Sequence, residues 1–361
     1  ACAVSSACVL SILSHILSNM SQTSRLTVRA AALTGLAALC RSYGVDAVRV
    51  LREAGLPAAI EAQPDRRVPV AAVDLAFELA ALACGRDDFG LRLTELRGLA
   101  NLGPIGLIAR DEPSVGAALA VIEAYLPLHN DALTISRDHH GGIVVLRSVL
   151  LGGGTKTQAT DIAVAMLHRI LRQIAPPGWQ AEEVCLMRPE PADRARFRQV
   201  LGPQLRFGAD FDGIVIRADL LDQPNRMAEA AFRPYASRLL GGATPGRSES
   251  MAARVSRLLA LLLSSGRCTA GYVAGRLGIS RRTLTRALEA EGTRFLALLD
   301  EARAEVAQRH LAARVRSLAE IADLLGFSSP AAFSTWFRHR HGLPPREWRR
   351  QARSSALSTA A

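Results

Sequence analysis

The sequence predicts an α+β N-terminal domain, helical in its first half and then a small mixed sheet with helices. An all-α C-terminal domain with two helix-turn-helix motifs follows. Three observations carry this. At 361 residues the chain is too long for one small core. Its hydrophobic pattern changes near residue 130 from helical spacing to alternating runs, then returns to helix. Its charge is lopsided: from Arg247 onward there are 19 Arg and no Lys against 9 Asp+Glu, so nearly all of the net +11 lies in the last third. A basic surface confined to one domain points to a polyanionic partner for that domain.

Residues 1–19 precede the first methionine, Met20, and lack the basic n-region of a signal peptide. They are expected to be a non-native or disordered extension. From Thr27 to about Pro127 the pattern reads as helical throughout. Asp46 is placed to cap a helix ending at Gly55. Pro69 starts another that carries Val73, Phe77, Leu79, Ala80 and Leu82. Shorter helices are expected at Phe89–Arg97, Ile105–Arg110 and Ser114–Leu126, the last with Ser114 as cap. Ala132–Arg137 and Ile143–Leu150 then read as a hairpin, with His139-His140-Gly141-Gly142 between the strands. Thr157–Ile174 is a helix with Ile162, Met166, Ile170 and Ile174 four apart. Strands at Glu183–Met187 and Gly213–Ile216 flank a helix near Asp193–Val200, and a last helix covers Met227–Leu240.

Glycine, proline and serine gather at 241–250, where the charge balance shifts, and mark a linker between a 20–240 domain and a 251–353 domain. The latter divides into a first helix-turn-helix at about 269–291, a linking helix at about 294–311 and a second helix-turn-helix at about 317–341, with a tail at 354–361. The two motifs form a weak internal repeat: VAGRLGIS matches IADLLGFS at an offset of 48. Gly278 and Gly326 stand where each first helix must leave in a left-handed conformation. Ser280 and Ser329 stand where the following helices need caps, and Pro330 takes the first turn of the second.

On the second of these helices Phe333, Trp336 and Phe337 form an apolar face, while Ala331, Ser334, Thr335, Arg338 and Arg340 project elsewhere. Arg281, Arg282, Thr283, Thr285 and Arg286 occupy the exposed positions of the first. Small side chains let a helix approach base edges in the major groove, and arginine reaches guanine or phosphate. A plain helical hairpin with a basic surface accounts for one such motif more easily than for two in tandem.

LGISRRTLTRALEAEGTRF and IADLLGFSSPAAFSTWFRHRHGLPPREWRR resemble the AraC/XylS family of bacterial transcriptional regulators. The match runs through Ile321, Ala322, Leu325, Gly326, Phe327, Phe333, Ser334, Phe337, Arg338, Gly342, Pro345, Trp348 and Arg349. Trp336 stands where the family carries a smaller residue. RRVPVAAVDLAFELAALACGRDDFGLRL and LGPIGLIARDEPSVGAALAVIEAYLPLHNDALTI are similar to the arabinose-binding/dimerisation-type N-terminal domain of one branch. No run of many short strands signals the sugar-binding barrel of the best-known members.

The resemblance implies a sequence-specific regulator of transcription, an activator, with a small-molecule effector bound N-terminally. It further implies double-stranded promoter DNA bound at direct repeats, homodimers, RNA polymerase as a partner and a place on the nucleoid of a bacterial cytoplasm. The alternative is a DNA-binding module fused to a covalently modified sensor or enzyme domain.

Other signals are weak. Six scattered cysteines suggest neither zinc nor disulfides and fit a reducing compartment. GGGTKT at 152–157 lacks the phosphate-loop ending and reads as a strand-to-helix loop. His139 and His140 lack a third ligand. No catalytic constellation, metal site, cofactor site or membrane-spanning run is expected. Cys268 reads as a small residue flanking a helix.

Overall fold

A computed structural model describes residues 26–152, 156–228, 250–263, 268–277, 279–313 and 316–350. They form two compact units, divided near Arg247. Residues 1–19, the linker at 241–249, Gly278, the tail and nearly all of the helix expected at Met227–Leu240 lie outside the described residues.

The first hundred residues of the N-terminal unit are not helical throughout. β1 (Thr27–Arg29) and β2 (Arg67–Pro69) pair antiparallel, with Val28 opposite Val68. Strands of three residues are too short to show a period. What holds them is non-local: Arg67 donates from Nη1 to the Leu128 carbonyl at 2.7 Å and from Nη2 to the Thr27 carbonyl at 3.0 Å.

Six helices follow: α1 (Leu36–Ser42), α2 (Ala47–Glu53), α3 (Val70–Cys84), α4 (Phe89–Glu95), α5 (Pro104–Arg110) and α6 (Val115–His129). The Asp46 carboxylate accepts from the Val48 N–H at 2.9 Å, and Ser114 Oγ accepts from the Ala117 N–H at 3.2 Å, so both expected caps form. α6 carries on past Leu126 through Pro127. Leu102-Gly103-Pro104-Ile105-Gly106 has a steric basis. Gly103 sits at φ +62°, and a Cβ on Gly106 would stand 2.0 Å from the Leu99 carbonyl oxygen.

The sheet then forms. β3 (Leu133–His140) and β4 (Ile143–Leu150) make a hairpin around Gly141-Gly142, with Gly141 at φ +60°. His139 and His140 are therefore the last residues of β3 and not turn residues. β5 (Glu183–Leu186), β6 (Leu205–Phe207) and β7 (Gly213–Arg217) complete a five-stranded sheet in the order β3-β4-β7-β5-β6, antiparallel except for β5 with β6. β6 is another three-residue strand absent from the sequence reading. α7 (Thr157–Ile174) has the expected bounds, and α8 (Ala195–Leu201) precedes β6.

α7 packs against β4 and β7 on one side and against α3 and α4 on another. Its Val164, Leu171 and Ile174 share one core with Val144, Leu146, Ile214 and Ile216 of the sheet and Leu119 and Ile122 of α6. A helix enclosed this way must satisfy its polar residues internally. Gln158 accepts from the Gly90 N–H at 2.7 Å and donates to the Asp87 carbonyl at 3.1 Å.

The C-terminal unit is helical: α9 (Met251–Leu262), α10 (Ala270–Arg276), α11 (Arg281–Ala290), α12 (Phe295–Ala313), α13 (Leu318–Leu324) and α14 (Pro330–His341). Residues 345–350 are helical as well. α12 is the spine. Its Leu299, Ala302, Val306 and Leu311 share one core with Leu284 and Leu288 of α11 and Phe333 and Phe337 of α14.

Candidate nucleic-acid interface and sensor cavity

The first candidate reading helix, α11, begins where Ser280 Oγ accepts from the Thr283 N–H at 3.1 Å. Leu284 and Leu288 turn inward, each 1% exposed, while Arg281, Arg282, Thr283, Thr285 and Arg286 all face solvent. Three hydroxyls here are already engaged. Ser280 and Thr283 share a hydrogen bond at 2.8 Å, and Thr285 donates to the Arg281 carbonyl at 3.1 Å. Arg281, Arg282 and Arg286 carry the helix's charged donors, all three exposed.

The second motif is fixed more tightly. Ser317 and Glu320 cap α13 reciprocally: Ser317 N–H donates to Glu320 Oε2 at 2.6 Å, and Glu320 N–H to Ser317 Oγ at 3.2 Å. Gly326 turns the chain at φ +72°. Ser329 Oγ accepts from the Ala332 N–H at 3.1 Å, and Pro330 follows at the first helical position. Phe333 and Phe337 are wholly buried. Trp336 is half-buried and stacks 5.0 Å from Phe327, so the large residue at this position extends the core contact.

Ala331, Thr335, Arg338 and Arg340 are exposed, whereas Ser334 is half-buried and donates to the Pro330 carbonyl at 2.8 Å. Arg340 lies near α12, where its charge opposes the burial that raises the Glu301 carboxyl.

One clamp at this motif had no counterpart in the sequence reading. Arg303 of α12 donates from Nε to the Leu325 carbonyl at 2.9 Å and lies 4.7 Å over the Phe327 ring. It thereby takes up a carbonyl left open at the end of α13. An arginine three turns into a long helix looks solvent-facing in sequence, because its acceptor is distant in the chain.

The N-terminal unit encloses an apolar cavity between α3, α6, α7 and the start of the sheet. Its empty space is about 850 Å³, with open solvent at the mouth included. Val73, Phe77, Ile122, Leu126, Ile162 and Ile170 are among its walls. Five polar residues also line it: Asp74, Arg97, Asn101, His129 and Asn130. Burial raises the Asp74 carboxyl to about 7 against the charge of Lys156. Burial lowers Arg97 to about 9 and His129 to about 3, the latter helped by the charges of Arg29, Arg97 and Arg67. Sequence periodicity did not mark these residues, because their burial depends on segments distant in the chain.

Residues 44–225 match the arabinose-binding domain of AraC transcription regulator, N-term, and residues 273–351 match a helix-turn-helix domain. The HTH-type transcriptional regulator VirS of Mycobacterium tuberculosis is 31% identical over 330 residues, which span 89% of this chain and 96% of that protein. The chain belongs to the AraC family. The ornithine utilization regulator of Pseudomonas aeruginosa is 25% identical over 316 residues, 86% of this chain and 93% of that protein. The crystal structure of transcriptional regulator CdpR from Pseudomonas aeruginosa aligns over 84% of this chain and 97% of its own, with 20% identity and a TM-score of 0.40.

In this AraC-family chain the two helix-turn-helix motifs are the DNA-binding part, and the relatives are transcriptional regulators. Among the described residues no three His, Cys, Asp or Glu side chains gather as a metal site would require, and no helix is long and apolar enough to cross a membrane. Cys268 is half-buried beside Leu259. Burial pushes its thiol up to about 11 although Arg303, a basic neighbour invisible in sequence, opposes the shift.

Proposed function

We propose that the protein recognises specific promoter sequences with both reading helices and is controlled by a small molecule in its N-terminal unit. Arg281, Arg282 and Arg286 would work with Ser280, Thr283 and Thr285 in one major-groove segment. Ser329, Ala331, Ser334, Thr335, Arg338 and Arg340 would serve the next, ~34 Å along one face of the duplex. Within this reading the chain is an activator. It forms homodimers on direct repeats, meets RNA polymerase there and works in the cytoplasm.

One observation carries the reading: both helices turn their leucines or phenylalanines into a shared core and leave arginines and small residues outward. Selection of bound duplexes from a random pool by the full chain tests it. The expected product is a bipartite motif whose two parts are one helical turn apart. Equal recovery of all sequences would reduce the protein to a non-specific binder.

A covalently modified sensor would need a reactive nucleophile. Burial pushes Cys40 to about 12 and Cys185 to about 11, and raises Cys84 as well, which favours the effector reading over that rival.

A further inference from the structure

The cavity in the N-terminal unit is lined mainly by aliphatic and aromatic side chains, with fewer polar residues than a sugar's many hydroxyls would need. One part of the wall departs from this. Arg97 is 6% exposed, its Nε donates to the Thr34 carbonyl at 2.9 Å, and its guanidinium lies 5.8 Å over the Phe77 ring. Among the described residues its Nη2 has no hydrogen-bond partner. His129, close enough to feel the charge of Arg97, has its Nδ1 buried and likewise without a partner among the described residues.

A guanidinium desolvated with an open donor is costly unless an anion meets it. Glu61 is the carboxylate whose charge acts on it, without a hydrogen bond to Nη2. Glu61 accepts from the Ala37 N–H at 2.9 Å, Asp65 pairs with Arg29, and Asp131 pairs with Arg67 at 2.7 Å. Asp74, the other charged residue on the cavity wall, lies within reach of the charge of Lys156.

We propose that this cavity binds a monocarboxylic acid with an apolar body, its carboxylate held by Arg97 Nη2 and by an N–H of His129, its aliphatic or aromatic body against Phe77, Ile122, Ile162 and Ile170. A buried guanidinium donor selects a carboxylate over a hydroxyl, because the carboxylate brings the opposite charge and makes the stronger, charge-assisted hydrogen bond. Asp74 adds a further polar point on the wall, suited to an acid that carries a hydroxyl or carbonyl along its body.

This rests on the reading of the N-terminal unit as an effector domain, and the experiment keeps the two apart. Decanoate and 4-phenylbutyrate, held below micellar concentrations, are compared with decanol, 4-phenylbutanol and L-arabinose by thermal shift and calorimetry on the full chain. The acids are expected to raise Tm and to bind at least tenfold more tightly than the alcohols. Arg97→Gln should lower acid affinity tenfold or more and leave the alcohols unchanged.

Alcohols binding as well as acids, acids binding undiminished to Arg97→Gln, or no response to either acid would overturn the assignment. If Arg97→Gln does not fold, the acid-against-alcohol ratio in the unaltered chain decides alone. Acids that bind as expected but leave the affinity for the selected duplex unchanged would remove the effector reading while the carboxylate site stands.

Discussion

Arg338 is exposed and makes no ion pair among the described residues, while Phe337 beside it is fully buried and fixes the helix rotation that points it outward. If Arg338 reads a base, Arg338→Ala should weaken binding to the selected duplex by about 1–3 kcal/mol and relax preference at one position. An equal loss on random duplexes in a competition assay would make it a phosphate contact instead.

Asp74 offers a different residue-scale test. Its carboxyl is raised by burial to about 7, far above its value in an unfolded chain. Between about pH 4 and 7 the folded state therefore holds a proton that the unfolded state has lost, so stability falls as pH rises through that window and levels off above it. Asp74→Asn removes the charge to be buried. It should gain roughly 2–4 kcal/mol over the original at pH 8 and nearly nothing at pH 4. Urea unfolding at the two pH values gives the comparison, and a gain equal at both would mean that Asp74 does not titrate there.

Elements with local determinants were legible in the sequence. α7 runs between the expected bounds because its apolar spacing persists over five turns. α2, α6, α11 and α14 begin where their cap residues stand. β1, β2 and β6 were not legible, since three residues hold no pattern and their pairing depends on distant partners such as Arg67 with Leu128.

The same division runs through the sites. Both reading faces follow from helical spacing, but the cavity's Arg97 and His129 and the clamp at Arg303 exist only once distant segments meet. Two substitutions probe elements in turn. Ser317→Ala removes half of the reciprocal cap on α13 and should cost ~1 kcal/mol in urea unfolding, a loss that glycine at the same place largely avoids. Gly106→Ala places a methyl against the Leu99 carbonyl oxygen, so α5 must shift. A loss of about 1–3 kcal/mol is expected, and an unchanged midpoint would show that the turn before α5 can yield.

At the scale of the whole molecule the charge distribution makes the sharpest demand. Nineteen Arg against nine acids from Arg247 onward should give DNA binding a steep negative dependence on salt. A flat response between 50 and 200 mM salt, as about two points on that scale, would show that the arginines serve the fold instead. The N-terminal unit, almost neutral, contributes little to that slope. Any effector must therefore act through geometry or assembly and not by altering the field that draws DNA in.

α12 carries a consequence of its own. Because α11 and α14 bury their inner faces in one core against this helix, the two readers are fixed to a common ruler. Such a pair cannot adjust to the duplex; the duplex must present its two segments in phase. Inserting a single base pair between them rotates one segment by about 35° and moves it by about 3.4 Å, as the ~10-base-pair turn dictates. The protein should then hold either segment but not both, and binding should return only in part when a full turn is inserted and the faces realign.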